Sequence, residues 1–214
     1  MKTNTLFRER DLFLDAILSG NRSQASGIIS GLLSKEERVQ DIYENVIKEA
    51  LYIVGDMWES GKISVATEHL ASAIVEAVLN DFYSIIISGN QKEKTVVASS
   101  VQNEVHQIGI KMVADMFEMN GWNVHFLGAN TPDSDLINFI EKTNTKTVAL
   151  SISIRNHYDS LKNIVSLIKN KIPDSKIIIG GQGLRGINEE ITKKYTDVYY
   201  FPDLYKLEEF IKES

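Results

Sequence analysis

Along the first ninety residues, apolar positions recur every three or four places. That is the period of helices burying one face. Leu12, Ile17 and Leu18 mark a first helix, and residues 25–33 a second. Between 36 and 58 the apolar places are Val39, Ile42, Tyr43, Val46, Ile47, Ala50, Leu51 and Val54, which predicts one long amphipathic helix. Gly61 interrupts the rhythm. Residues 65–88 predict a fourth helix, apolar almost all round and therefore the most buried. Four helices on short joints predict a small bundle.

Past residue 92 the rhythm changes. Short β-branched or apolar runs at 95–100, 122–127, 147–153, 176–181 and 198–201 predict five strands. Helical patterns at 108–120, 134–142, 158–170, 188–194 and 204–212 alternate with them. Such alternation implies a parallel sheet covered on both faces, and right-handed crossovers favour a doubly wound domain. The expected fold class is α/β with an all-α cap. An N-terminal four-helix bundle (1–91) precedes a flavodoxin-like doubly wound five-stranded parallel sheet (92–214) of strand order 2-1-3-4-5. The segment GNQKEK (89–94) is the expected linker. In such sheets ligands sit beyond the carboxyl ends of the strands, where strands one and three diverge.

Composition narrows the chemistry. The 214 residues contain no cysteine, which excludes disulfides, thiolate zinc sites, iron–sulfur ligation and cysteine nucleophiles together. A metal would have to be held by His, Asp, Glu or a bound organic ligand. The net charge is −6 with basic residues dispersed, so direct nucleic-acid binding is not expected. No apolar run reaches the ~18 residues of a membrane span, and the N-terminus lacks the order of a secretory signal. Cytoplasmic residence is the default expectation.

The first candidate site is VQNEVHQIGIKM (101–112), which the predicted topology places in the crevice. His106 follows the first strand. Gly109, three residues on, lets a bulky planar ligand approach the backbone. Glu104 is positioned to accept the proton of the imidazole's other nitrogen and so fix its tautomer. A lone loop histidine is usually unremarkable, and H-x-x-G alone is weak. Agreement with other positions strengthens it. Ser151 and Ser153 fall where strand three reaches the crevice and carry hydroxyls that can donate to a ligand nitrogen. Gly180 and Gly181 end strand four and leave a slot without side chains. No serine–histidine–acid set is visible. His125 reads as structural within strand two, and His157 as an ordinary residue of the loop after strand three.

The second candidate site is DMWESGKISVATEHLAS (56–72), at the joint between the third and fourth helices. Trp58 ends one helix, and Glu68-His69 lies one turn into the next. An indole can cover an apolar or π-rich face, and a carboxylate can accept two hydroxyl protons, as from a ribose. Glu68 and His69 point ~100° apart on a helix, which disfavours a shared metal ion.

E104-V-H106-Q-I-G109, Ser151 and Gly180-Gly181 together resemble the cobalamin-binding family of methionine synthase, mutases, corrinoid methyl carriers and light-sensing repressors. In that family the pattern is D-x-H-x-x-G, a serine after strand three, and G-G after strand four. The resemblance implies that His106 ligates cobalt from below and displaces the cofactor's dimethylbenzimidazole tail, which runs past Ser151 and the glycines. FLGANTPDSDL (126–136) resembles the family's second strand and following loop. Glu104 stands where aspartate is common, and Arg155 where a small hydroxyl residue is common.

The spacing W-x9-E-H resembles the cap of CarH-type adenosylcobalamin photoreceptors. It implies that Trp58 covers an adenosyl group with Val65 packed nearby, while Glu68 and His69 contact the adenosine. The histidine that follows the cap tryptophan in that family is Glu59 here, and no DNA-binding domain precedes the first helix. The leading expectation is therefore a sensory protein: an adenosylcobalamin-dependent light sensor. It would signal to an unknown protein partner through cobalt–carbon photolysis and domain or oligomer rearrangement, and it would not itself be an enzyme. Adenosylcobalamin is expected ahead of methylcobalamin or hydroxocobalamin, and a homo-oligomer is expected by resemblance. The alternatives are a corrinoid methyl-carrier subunit of a methyltransferase system, a light-independent cobalamin sensor or store, and a flavodoxin-like nucleotide binder. The last lacks any G-x-G-x-x-G or P-loop.

Overall fold

The structure is a computed structural model describing residues 2–86, 93–186 and 189–214. The chain divides into two compact units, Met1–Ile86 and Ile87–Ser214. Most of the expected linker, residues 89–92, lies outside the described residues.

The first unit is all-helical. α1 (Lys2–Leu18) and α2 (Arg22–Ser34) are joined by Gly20, at φ +77°, and by Asn21, whose side chain accepts from the Gln24 N–H and caps α2. The predicted helix over 36–58 begins later, because Glu36 adopts a left-handed conformation (φ 59°). It runs as α3 (Val39–Ile42), a π turn (Tyr43–Ile47) and α4 (Lys48–Glu59). The π turn admits an extra residue and buries Tyr43, Val46 and Ile47 together with Glu44, which is ion-paired to Lys48. α5 (Val65–Ile86) is capped by Ser64, whose hydroxyl accepts from the Thr67 N–H. The expectation that this helix is the most buried meets a one-sided burial. Ala71, Ile74, Val75, Val78 and Leu79 face the core, whereas Val65, Leu70, Tyr83 and Ile85 are exposed. Its apolar content exceeds its buried face.

The second unit is the doubly wound sheet. Its strands are β1 (Thr95–Ser100), β2 (Asn123–Gly128), β3 (Thr147–Ser151), β4 (Lys176–Gly180) and β5 (Val198–Tyr200). They lie in the expected order β2-β1-β3-β4-β5, and every pair is parallel. The covering helices are α6 (Ile108–Met119), α7 (Asp133–Thr143), α8 (Tyr158–Lys171), α9 (Glu189–Lys194) and α10 (Leu204–Glu213). The expected start of α9, residue 188, lies outside the described residues.

β1 and β3 are buried along nearly their whole length, as strands covered on both faces must be. On the face covered by α7 and α8, Val97, Leu136, Ile140, Leu150, Ile164 and Ile168 form the heart of the core. Beneath α6, Phe117 meets Trp122 edge-on with centroids 5.1 Å apart. β3 stops at Ser151, two residues earlier than its apolar pattern suggests. The β1–β2 register shifts between Ala98 and Ser99. Such bulges re-aim a strand end, and this one lies at the end that feeds the crevice loop. Among the described residues no helix is long and apolar enough to cross a membrane.

Candidate functional site

The loop between β1 and α6 is organised by one carboxylate. Glu104 is completely buried, and five donors converge on it. Its Oε1 accepts from the His106 backbone N–H at 3.0 Å and from His106 Nδ1 at 2.5 Å. Its Oε2 accepts from the Ser153 N–H at 2.8 Å, the Ile154 N–H at 3.2 Å and His157 Nδ1 at 2.9 Å. Burial alone would push this carboxyl upward. The hydrogen bonds from both imidazoles and from the backbone of His106 and Ser153 outweigh it and hold the pKa near 2. An ionised carboxylate only accepts, so both rings carry their proton on Nδ1. For His106 this directs metal ligation to Nε2. Its side chain is 41% exposed.

The extra methylene of Glu104 has a visible consequence. The carboxylate spans from the β1–α6 loop to the loop after β3. The third crevice loop is tied in as well: the Asn130 N–H donates to the Glu104 carbonyl at 2.9 Å, and Asn130 Oδ1 accepts from the Asn103 N–H at 2.8 Å. Both asparagines sit in the left-handed region, at φ 53° and 70°, which this residue type tolerates. Ser100 Oγ donates to the His106 carbonyl at 2.8 Å and fixes the peptide behind the imidazole.

His157 therefore has a partner that its sequence context did not disclose. It closes a 3₁₀ turn (Arg155–His157) at the foot of α8. The available signal was a histidine six residues beyond Ser151, facing the same crevice as Glu104. Hydrophobic periodicity carries no information about such a pairing. His125 rests edge-on against Phe139 with centroids 5.4 Å apart, away from this network.

The other predicted crevice residues gather around Ser151. It is buried. Its Oγ lies 3.7 Å from where a Cβ on Gly109 would stand and 2.8 Å from one on Gly181. The two glycines after β4 differ. Gly180 has open space where a Cβ would be, whereas at Gly181 (φ +100°) a Cβ would fall 2.1 Å from the Ile152 carbonyl oxygen. Gly180 thus leaves room for a ligand, and Gly181 lets the backbone turn back onto the loop after β3. Ser153 lies beyond the strand, in that loop, and is half-buried. Arg155 extends across to the Arg185 carbonyl (2.9 Å) and links the loops after β3 and β4.

Trp58, Val65, Glu68 and His69 belong to the helical unit and flank its α4–α5 joint. Trp58 is 46% exposed, and Val65 is exposed as well. Glu68 accepts from Ser72 Oγ at 2.8 Å within its own helix. His69 Nε2 stands 3.6 Å from Glu68 Oε2, with its side chain 74% exposed. Among the described residues no group of three or more His, Asp or Glu is placed to hold a metal ion by itself.

The sequence model of a family described as B12 binding domain matches residues 94–204, and a second, of the same description, matches residues 9–80. The chain is similar to dimethylamine corrinoid protein 2 of Methanosarcina acetivorans, 22% identical over 173 residues, covering 78% of this chain and 79% of that protein. It is also similar to the HTH-type transcriptional repressor CarH of Myxococcus xanthus, 24% identical over 177 residues, covering 82% of this chain but 58% of that protein. Its fold is that of the solved Methanosarcina barkeri monomethylamine corrinoid protein: TM-score 0.80 at 15% identity, covering 94% and 95% of the two chains. These findings correct the expectation of a photoreceptor acting in signal transduction. Dimethylamine corrinoid proteins match over most of their own length, while the repressor matches over little more than half of its own.

Proposed function

We propose that this chain, which belongs to the B12-binding domain family, is a corrinoid methyl-carrier protein that presents its cofactor to partner methyltransferases. Its cofactor class is a corrinoid. The similarity to dimethylamine corrinoid proteins favours a carrier over a sensor. The observation that carries the site assignment is the imidazole locked by Glu104, with the Ser151 hydroxyl beside the backbone of Gly109 and Gly181.

The Ser151 hydroxyl can bond a polar group of the cofactor's displaced tail. Gly109 and Gly180 leave space beside it. His106 would hold the cobalt through Nε2, since Nδ1 is committed to Glu104. Glu104 fixes the tautomer and plane of that ring, and Ser153 secures Glu104 through its backbone N–H. In this reading residues 1–91 act as the cap and 92–214 as the cofactor domain, with Trp58, Val65, Glu68 and His69 as further cofactor contacts. When bound, the corrinoid supplies a cobalt that accepts and releases a methyl group. The chain's residues hold and orient it, and the bond-making catalysis belongs to the partner enzymes. A homo-oligomer in solution is carried forward as part of the proposal.

The test is binding in the dark to methylcobalamin and adenosylcobalamin. The carrier reading expects methylcobalamin to be held more tightly by about tenfold, ~1.4 kcal/mol. Tighter binding of adenosylcobalamin would overturn it.

A further inference from the structure

The loops after β3 and β4 are closed onto each other. The Ile152 N–H donates to the Gly180 carbonyl at 3.1 Å, and the Gly183 N–H donates to the Ile152 carbonyl at 3.1 Å. A Cβ on Gly183 would stand 3.0 Å from the Ile154 carbonyl group, so the two backbones run in close contact. Arg155 spans this seam. It follows Ser151 by four residues, and its Nη2 donates to the Arg185 carbonyl at 2.9 Å. A guanidinium carries five donors and a permanent charge. That bond uses one donor and neutralises no charge. Arg155 is exposed and makes no ion pair among the described residues. The acids that follow the two loops have partners of their own. Asp159 pairs with Lys162 at 2.8 Å, and Glu190 accepts from the Tyr158 hydroxyl at 3.2 Å. A chain of net charge −6 thus keeps an uncompensated cation where the loops after Ser151 and Gly180 meet.

We infer that Arg155 is a specificity-determining residue whose guanidinium receives the anionic phosphodiester of the corrinoid's nucleotide tail. The inference deepens the proposed function and rests on its assignment of the tail to the space beside Ser151 and Gly180. A small hydroxyl residue, common at this place in the family, offers one donor and no charge. Arg155 offers a fixed positive charge and a planar fork that matches phosphate oxygens. The fork stands on a rigid base. The Ser153 and Ile154 N–H groups are held by Glu104, and Nη2 is held by the Arg185 carbonyl. A group held in place before binding loses little freedom when it binds. The chain thereby favours corrinoids that carry the complete nucleotide tail over those that end before the phosphate. Because the guanidinium is exposed, salt screens the contact.

The experiment compares the full chain as wild type, Arg155→Gln and Arg155→Lys, with folding confirmed by circular dichroism. Each is titrated in the dark with hydroxocobalamin and with diaquocobinamide, which lacks the phosphate, ribose and base, and Kd is read from the absorption change. Arg155→Gln should weaken hydroxocobalamin binding by about tenfold and cobinamide binding by no more than about twofold. Arg155→Lys keeps the charge without the fork and should stay within about threefold of wild type. The gap between wild type and Arg155→Gln should narrow in about 0.5 M NaCl. Equal hydroxocobalamin affinity in wild type and Arg155→Gln would overturn the inference, and tighter binding by the variant would show that Arg155 obstructs the tail. An equal loss for both ligands would reduce Arg155 to a brace between two loops and overturn it as well. A wild type that takes up neither corrinoid would instead overturn the proposed function, and the inference with it.

Discussion

Two carboxylates, Glu104 and Glu68, stand in regions built on opposite principles. Glu104 is sealed inside the sheet unit, with donors from the β1–α6 loop and the β3–α8 loop on its oxygens and the β2–α7 loop on its carbonyl. Glu68 is partly buried on one helix, with a single serine hydroxyl from its own next turn and an exposed histidine beside it. The first arrangement is over-determined, so the imidazole it carries is held in one orientation before any cofactor arrives. The second leaves its side chains free to choose rotamers. A site that must present one nitrogen to one metal needs the former.

The contrast is broken most directly by removing the two acids. Glu104→Ala leaves buried N–H groups of Ser153 and Ile154 without an acceptor. It should destabilise the sheet unit by about 2–4 kcal/mol, since each abandoned buried donor costs about 1–3 kcal/mol. Glu68→Ala removes one part-buried hydrogen bond from Ser72 and should cost about 1 kcal/mol. Urea unfolding followed by circular dichroism measures both, and similar values would erase the distinction.

The paired glycines sharpen it within a single turn. Gly181→Ala places a Cβ against the Ile152 carbonyl at positive φ and should cost about 2 kcal/mol or more, because the native conformation is incompatible with a side chain. Gly180→Ala meets open space. It should leave stability within about 0.5 kcal/mol while weakening corrinoid binding. A Gly180→Ala protein that binds hydroxocobalamin as wild type does would remove that glycine from the cofactor slot.

The smallest effects belong to the α4–α5 joint. Trp58→Ala and His69→Ala should leave the unfolding midpoint nearly unchanged, with affinity for hydroxocobalamin falling less than tenfold, under ~1.4 kcal/mol. A collapse of folding in either variant would show that these residues are core anchors after all.

The parallel sheet was legible because its strands are short, β-branched and separated by helical patterns, and connection rules leave few orders for them. The position of His106 followed from that order. What periodicity could not convey was anything decided by loops. β3 stops at Ser151 because the Ser153 and Ile154 N–H groups turn away to the carboxylate, although the apolar–polar pattern continues. His157 was read as an ordinary loop residue because a hydrogen bond across 53 positions leaves no trace in local spacing. The exposed face of α5 was misread for a related reason. Apolar content reports what a helix is able to bury, and only packing decides which side does so. W-x9-E-H showed the opposite weakness, since three matching residues on a common helical scaffold suggested an activity that whole-chain similarity does not support.

The central claim is that His106 Nε2 is the lower ligand of a bound corrinoid. Protein grown with 15N-histidine and loaded with cob(II)alamin tests it by electron paramagnetic resonance. The account predicts axial nitrogen splitting that changes from a triplet to a doublet on 15N substitution and vanishes in His106→Ala. A splitting unaltered by the label, or retained in that variant, would contradict it.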